Sequence, residues 1–166
     1  MSVKAIFKAF SKKNNGIKNI EFLPYDPAVD RDYYSFVRNK RKLNYSQVII
    51  TSEMMISLID YYFIERSASI TSIELMEEDE EIEVDITRIL SKMTNDRAYY
   101  SRLIELLRFV QDKSSIDVKK ITIKNTEQDK QFQLYIQVNG LVGVDEEFYQ
   151  NETSEIGCRL ESYINL

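Results

Sequence analysis

Two acidic residues and a lysine come closest to a catalytic pattern in this sequence. Asp117 and Lys119 are separated by one residue at the start of a segment with strand-like alternation, and Glu83 or Asp85 could supply a second acid from a neighbouring strand. Metal-dependent hydrolysis of a phosphodiester needs carboxylates and a lysine and can dispense with histidine. Three-residue matches arise often by chance, so a metal-dependent nuclease is an alternative and not the leading interpretation.

Composition excludes several classes of catalytic site that depend on histidine or on more than one cysteine. The chain has no histidine and a single cysteine, Cys158. Nucleophiles activated by His, Cys/His zinc sites and haem held by His therefore cannot be built from this chain alone. The four glycines are scattered, so neither a Walker loop nor a dinucleotide fingerprint can be drawn. We expect a protein that is not an enzyme and that has no cofactor and no metal site.

A basic cluster with aromatic neighbours lies in the N-terminal third. Single-stranded nucleic acid is held by cations that contact phosphates and by flat rings on which bases stack. Residues 1–45 carry 10 basic and 4 acidic side chains, net +6, whereas residues 46–166 carry 12 and 23, net −11. The plainer interpretation is a solvated helix end favoured by the helix dipole. The candidates for contact with nucleic acid or an acidic partner are Arg38, Lys40, Arg41, Lys42 and Tyr45.

A nearly continuous apolar segment follows Glu53. The sequence MMISLIDYYFIER is apolar almost all round, which predicts a helix that is buried on most sides. A helix in the core is the plainer interpretation. If the helix lies at an edge, its Met and Tyr side chains form an adaptable surface for a protein partner. The candidates for that interface are Met54, Met55, Tyr61 and Tyr62.

The best-supported element that could position these residues is a helix over residues 96–111, with side-chain oxygens before its first turn. Alternating apolar residues predict strands over 116–124 and 131–138. The apolar phase slips between Val118 and Ile121, which predicts a bulge. The other predicted elements are a basic amphipathic helix over 2–13, a helix from Asp26 to about Lys40, a hairpin of strands 72–75 and 82–86 with an acidic tip, and a last helix from Thr153.

Together these patterns predict one α+β domain, with helices packed on a mainly antiparallel sheet. Its basic portion is residues 1–45 and its acidic portion is residues 46–166. The expected function is that of a non-catalytic binding or adaptor subunit of a larger assembly, with a protein partner and with nucleic acid as a further partner. An accessory or inhibitor protein of a phage or antiviral defence system is a further alternative. No apolar run approaches the roughly 20 residues that span a bilayer, so we expect a cytoplasmic protein without membrane contact.

Overall fold

The computed structural model describes residues 4–165. Contacts divide the chain into two compact units, one formed by residues 1–50 and 139–166 and the other by residues 51–138. The α+β class with mainly antiparallel strands is confirmed. The single domain with a basic and an acidic portion stays a prediction.

The elements follow one another in the chain as strands and helices of unequal length. They are β1 (Lys4–Asn14), β2 (Ile17–Pro24), α1 (Tyr33–Lys42), β3 (Ser46–Gln47), α2 (Ser52–Asp60), β4 (Ser69–Leu75), α3 (Glu80–Met93), α4 (Tyr100–Lys113), β5 (Val118–Glu127), β6 (Lys130–Gln137), β7 (Leu141–Asp145) and α5 (Tyr149–Ile164). A π-helical turn extends α2, and short 3-10 turns precede α4 and α5. Within residues 4–165, no helix combines the length and the apolar character that crossing a membrane requires.

In the first unit, β1 is the middle strand of an antiparallel sheet. It pairs with β2 on one side and with β7 on the other, and β3 pairs with two of its residues. Neighbouring residues of a strand point to opposite faces, and both faces of β1 are covered. Phe10 packs against Phe36 of α1 with ring centroids 5.9 Å apart, and Phe7 stacks on Tyr149 of α5 at 4.9 Å.

The predicted N-terminal helix is therefore wrong. Residues 4–14 form β1, and residues 2 and 3, with which the predicted helix began, lie outside the described range. A strand that is buried on both faces loses the alternation by which strands are recognised. Phe7 and Phe10, buried on opposite faces, are three residues apart and so imitate the spacing of a helix.

The second unit contains an antiparallel sheet in which β5 lies between β4 and β6. Ile121 pairs with Ile73 of β4 on one side and with Ile136 of β6 on the other. The register of β4 and β5 shifts where Glu74 pairs with Lys120 and the next residue pairs with Val118, which confirms the predicted bulge. The strands over 116–124 and 131–138 and the helix over 96–111 are confirmed as β5, β6 and α4 with its preceding turn.

The hairpin predicted from residues 72–75 and 82–86 is wrong in its second strand, because residues 80–93 form α3. Asp79 caps this helix, and its side chain accepts a hydrogen bond from the backbone N–H of Ile82 at 3.2 Å. Acidic side chains fill the first turn, where the helix dipole favours them. The acidic tip of the predicted hairpin is thus the start of a helix.

The helix predicted from Asp26 begins later, at Tyr33, with Asp32 as its N-cap. Asp26 instead accepts a hydrogen bond from the N–H of Ala28 at 2.9 Å, which closes a turn that does not propagate. The last helix begins earlier than predicted, at Tyr149. Asp26 and Thr153 both carry oxygens that can cap a helix, but α1 begins at a later cap and α5 begins after Phe148 without a side-chain cap.

Candidate functional site

The four residues predicted to form a protein interface are placed in the core of the second unit. Met54, Met55, Tyr61 and Tyr62 are all buried. The Arg66 guanidinium lies 5.7 Å from the centroid of each tyrosine ring and donates a hydrogen bond to the Tyr61 hydroxyl at 3.1 Å. A partner cannot reach these side chains in this conformation, so the interface stays a prediction without geometric support.

The residues considered for a metal-dependent nuclease lie on different kinds of element. Asp117 immediately precedes β5 and accepts a hydrogen bond from the Ser52 hydroxyl at 3.0 Å. The expectation that Glu83 and Asp85 lie on a neighbouring strand is wrong, since both belong to α3. Among residues 4–165, no group of three or more His, Cys, Asp or Glu side chains could hold a metal ion. The nuclease alternative stays a prediction.

Helix α1 divides the basic cluster between two sides. Asp32 fixes its first turn by accepting the N–H of Tyr34 at 3.0 Å and the Ser35 hydroxyl at 2.7 Å. Tyr34, Arg38 and Arg41 recur at intervals of four and three residues, which places them on one face of the helix. Lys40 points elsewhere, with its Nζ 5.5 Å from the centroid of the Phe36 ring.

A cavity of about 350 Å³ adjoins this face of α1, and we call it the α1 cavity. None of the described residues that line it is acidic. The Tyr34 side chain is the most exposed aromatic of the site, at 77%. The lining consists of Tyr33, Tyr34, Val37, Arg38 and Arg41 of α1, Gln47 of β3, and Asn139, which precedes β7.

The two amide side chains of the α1 cavity are oriented by hydrogen bonds. Gln47 Oε1 accepts from the Tyr33 hydroxyl at 3.4 Å, and Asn139 Oδ1 accepts from the N–H of Leu141 at 3.2 Å. With these oxygens engaged, the NH₂ groups are what the amides offer to a ligand. Guanidinium and amide donors beside tyrosine rings suit a ligand that combines an anion with a flat ring.

Sequence reasoning missed Lys8, which is fully buried in the first unit. Its Nζ has no hydrogen-bond partner among the described residues and lies 5.8 Å from the centroids of both Phe10 and Tyr33. Burial lowers the pKa of this amine to about 8. The available signal was a lysine within the apolar stretch AIFKAF, which becomes an inward-facing residue only once the segment is interpreted as a strand.

Gly140 leaves the space that the Lys8 amine occupies. A Cβ atom at Gly140 would lie 3.1 Å from Lys8 Nζ and 2.6 Å from the backbone oxygen of Val48. Asn139 and Gln47, the chain neighbours of Gly140 and Val48, line the α1 cavity, as does Tyr33. Lys8 therefore lies directly behind the wall of the cavity.

The remaining candidates, Tyr45 and Lys42, do not line the α1 cavity. The Tyr45 hydroxyl donates a hydrogen bond to Glu21 at 2.7 Å, which raises the pKa of the phenol. Its ring packs 5.9 Å from Phe10 and receives the Lys12 ammonium at 4.7 Å. The hydroxyl and the ring of Tyr45 are thus already in contact with residues of β2 and β1.

A second basic and aromatic cavity, of about 250 Å³, lies between α3 and α4. Its cations already have partners: Arg88 pairs with Asp85 at 3.3 Å, and Lys92 and Arg102 lie 5.2 and 5.4 Å from the centroid of the Tyr99 ring. With an acid in its lining, this cavity is a weaker anion site than the α1 cavity.

No protein-family model, curated protein or solved structure matches this chain.

Proposed function

We propose that this protein is a non-catalytic, cytoplasmic binding subunit of a larger assembly that contacts single-stranded nucleic acid through the α1 cavity. The observation that carries the proposal is one cavity lined by two arginines and two tyrosines, with no acid among its described lining residues. Of the five basic or aromatic residues predicted for this role, Arg38 and Arg41 line the cavity.

The side chains of this face match the parts of a nucleotide. A guanidinium presents a planar set of donors that fits a phosphate in two places at once. The exposed ring of Tyr34 offers a surface on which an unstacked base can lie. The helical rise of 1.5 Å per residue places Arg38 and Arg41 about 6 and about 10 Å along the axis from Tyr34, so ring and cations can contact adjacent parts of one strand.

Single strands fit this site better than duplexes do. The cavity has the size of a small-molecule site, which admits one splayed nucleotide. The carboxylates of an acidic peptide would use the arginines, but only a nucleotide carries a planar ring together with an anion in every unit of its chain. Nucleic acid is therefore the better match.

The test is fluorescence anisotropy with labelled single strands of DNA and RNA of about 12 nucleotides. The double variant Arg38→Glu/Arg41→Glu reverses the two charges in the cavity. Its control, Lys40→Glu/Lys42→Glu, makes the same charge change on the same helix outside the cavity lining. We expect the first pair to weaken binding at least about tenfold more than the second, because charge-assisted contacts to phosphate are lost.

Three results would contradict the proposal. Wild-type protein that binds neither DNA nor RNA at low salt would remove its basis. Equal losses in the two double variants would show that net charge, and not the α1 cavity, governs binding. Preferential binding to an acidic peptide would mean that the α1 cavity binds a protein partner and not nucleic acid.

Membership of a larger assembly has its own test. Gentle purification of the tagged protein from its own host, followed by mass spectrometry and extraction of nucleic acid, should recover a defined partner. A lone monomer free of nucleic acid would contradict this part of the proposal.

A further inference from the structure

The starting observation is a buried positive charge that nothing in the described structure satisfies. The Lys8 side chain has 0% exposure, and its Nζ has no hydrogen-bond partner among residues 4–165. Buried polar groups are almost always hydrogen-bonded, and a buried unpaired charge is strongly unfavourable. Two distant aromatic contacts compensate for this only in part. An anion bound near this ammonium would offset the cost of burying its charge.

The position of Lys8 indicates where that anion would lie. Tyr33 and the Asn139–Gly140 turn separate the amine from the α1 cavity, whose lining also includes Arg38 and Arg41. An anion in the cavity would therefore lie among three cations. We infer that the α1 cavity binds the terminal monoester phosphate of a single nucleic-acid strand, with Lys8 supplying the innermost charge. This inference rests on the proposed function and specifies the part of the strand that enters the site.

A terminal phosphate fits this arrangement better than an internal one. A monoester phosphate carries a charge near −2 at neutral pH, whereas each internal phosphodiester carries −1. Three cations are better matched by the doubly charged group. An internal phosphate also has a nucleotide on both sides, so it can enter a cavity of about 350 Å³ only when the chain on either side passes outside the lining.

Lys8 does not need to touch the phosphate to act on it. A charge enclosed by apolar side chains is poorly screened, so its attraction extends over several ångströms. Direct contact would require Tyr33 to move. The hydrogen bond from the Tyr33 hydroxyl to Gln47 is long, at 3.4 Å, and therefore opposes this movement only weakly. Both modes predict the same dependence on the Lys8 charge.

The experiment compares oligothymidylates of about 12 nucleotides with a 5′-phosphate, a 3′-phosphate or no terminal phosphate. We expect wild-type protein to prefer one phosphorylated end by about tenfold or more, as for a charge-assisted contact. Lys8→Met should reduce this preference to about threefold or less, because the doubly charged terminal phosphate loses more from removal of this charge than a singly charged phosphodiester does. Lys12→Met is the matched control, since it removes an exposed lysine from the same face of β1 and should weaken all three oligonucleotides equally.

A pH series adds a readout that a merely structural role for Lys8 would not move. The phosphate is already doubly charged above about pH 7, so the end preference should fall as Lys8 loses its proton near pH 8. The neighbours facing this amine are Tyr33 of α1, whose pKa is raised by burial, and uncharged groups at Phe10, Leu23, Leu141, Gly140 and Val48. On β7, the next acid on the same face is Asp145, which is opposite Lys4. The Lys8→Met variant should show no such fall.

The outcomes separate the two proposals. Equal binding of the three oligonucleotides, with the Arg38 and Arg41 dependence retained, would overturn end recognition and leave the proposed function standing. An end preference that survives in Lys8→Met would overturn the role of Lys8. Absence of all binding would contradict the proposed function itself.

Discussion

Lys8 occupies a strand position at which the sheet would ordinarily hold an apolar side chain. Its neighbours Phe7, Ala9 and Phe10 are all buried, and its amine is enclosed between β1, α1 and Gly140. Such a residue weakens the fold when it is charged. Its cost can be measured separately from any ligand.

Lys8→Met should therefore stabilise the protein. The pKa of Lys8 falls from 10.5 to about 8 on folding, which corresponds to about 3 kcal/mol of lost stability while the amine is charged in both states. Below pH 8 the full cost is present; between about pH 8 and 10.5 the folded state releases the proton first and the cost is relieved. Urea unfolding near pH 7 should thus show the variant to be more stable, and the advantage should shrink towards pH 10.5.

Lys12→Met supplies the comparison, because Lys12 is exposed and should change stability by less than about 0.5 kcal/mol. A Lys8→Met protein that is less stable than wild type at neutral pH would show that the amine has a favourable partner.

A second prediction for a single side chain concerns Ser52. Its buried hydroxyl accepts the N–H of Val118 at 2.9 Å and donates to Asp117 at 3.0 Å, which joins the start of α2 to the start of β5. Ser52→Ala leaves the Val118 N–H without this partner and should cost about 1 to 3 kcal/mol. Ser101→Ala removes an exposed hydroxyl and should cost less than about 0.5 kcal/mol in the same thermal or urea unfolding measurement. Equal effects would contradict the role assigned to Ser52.

The elements were predictable where one periodicity dominates. Helix α4 has a single apolar stripe, with Leu103, Leu107 and Val110 buried, and β6 alternates at Phe132, Leu134 and Ile136. For α3, strand-like alternation over five residues competed with a helical stripe over fourteen, and the longer pattern with its cap determines the structure. A local pattern cannot show which of two periods the rest of the chain will support.

The candidate site was predictable in part for a similar reason. Arg38 and Arg41 were found because charge and aromatic composition are visible in the sequence. Lys8, Gln47 and Asn139 were not, because their proximity to α1 depends on the pairing of β1 with β3 and β7. Pairings between distant segments leave no local signal.

Substitution of Gly16 and Gly140 measures how much two turns contribute to the stability of the fold. Gly16 and Gly140 both have φ of +82°, a conformation that costs an L-residue about 1 kcal/mol. A Cβ at Gly16 meets nothing within 4 Å, whereas at Gly140 it would lie 2.6 Å from the Val48 oxygen. Gly16→Ala should thus cost about 1 kcal/mol and Gly140→Ala at least about 1 kcal/mol more, measured by urea unfolding. Equal costs would mean that the backbone around Val48 yields freely.

Over the whole molecule, charge is distributed unevenly. The net charge is −5, which opposes the approach of a polyanion. Within the first unit, residues 1–50 carry net +6 and residues 139–166 carry net −5. The basic α1 and the acidic α5 pack against opposite faces of the β1 strand, so the positive charge is presented on one side. The proposed binding of nucleic acid would therefore rely on this local field.

Affinity for single strands should consequently fall with salt. Two or three phosphate contacts give a slope of log affinity against log salt of about −1.4 to −2, so affinity should fall about seven- to twentyfold from about 50 to about 200 mM. In Arg38→Ala/Arg41→Ala the slope should fall to between zero and about −0.7, because at most one phosphate contact remains. Anisotropy titrations over this range measure both slopes, and an affinity that ignores salt in the wild-type protein would contradict phosphate contact.

The pairing of β1 with β7 also governs the order of events during synthesis. Lys8 is opposite Leu141 and Lys4 is opposite Asp145, so along residues 4–8 this edge of β1 has no partner strand until the chain has grown by more than a hundred residues, since β3 pairs only with Phe10 and Ser11. At about 5 to 20 residues per second, the ribosome leaves that edge unpaired for roughly 7 to 27 seconds. Through this interval the backbone N–H and C=O groups along that edge have no strand to pair with.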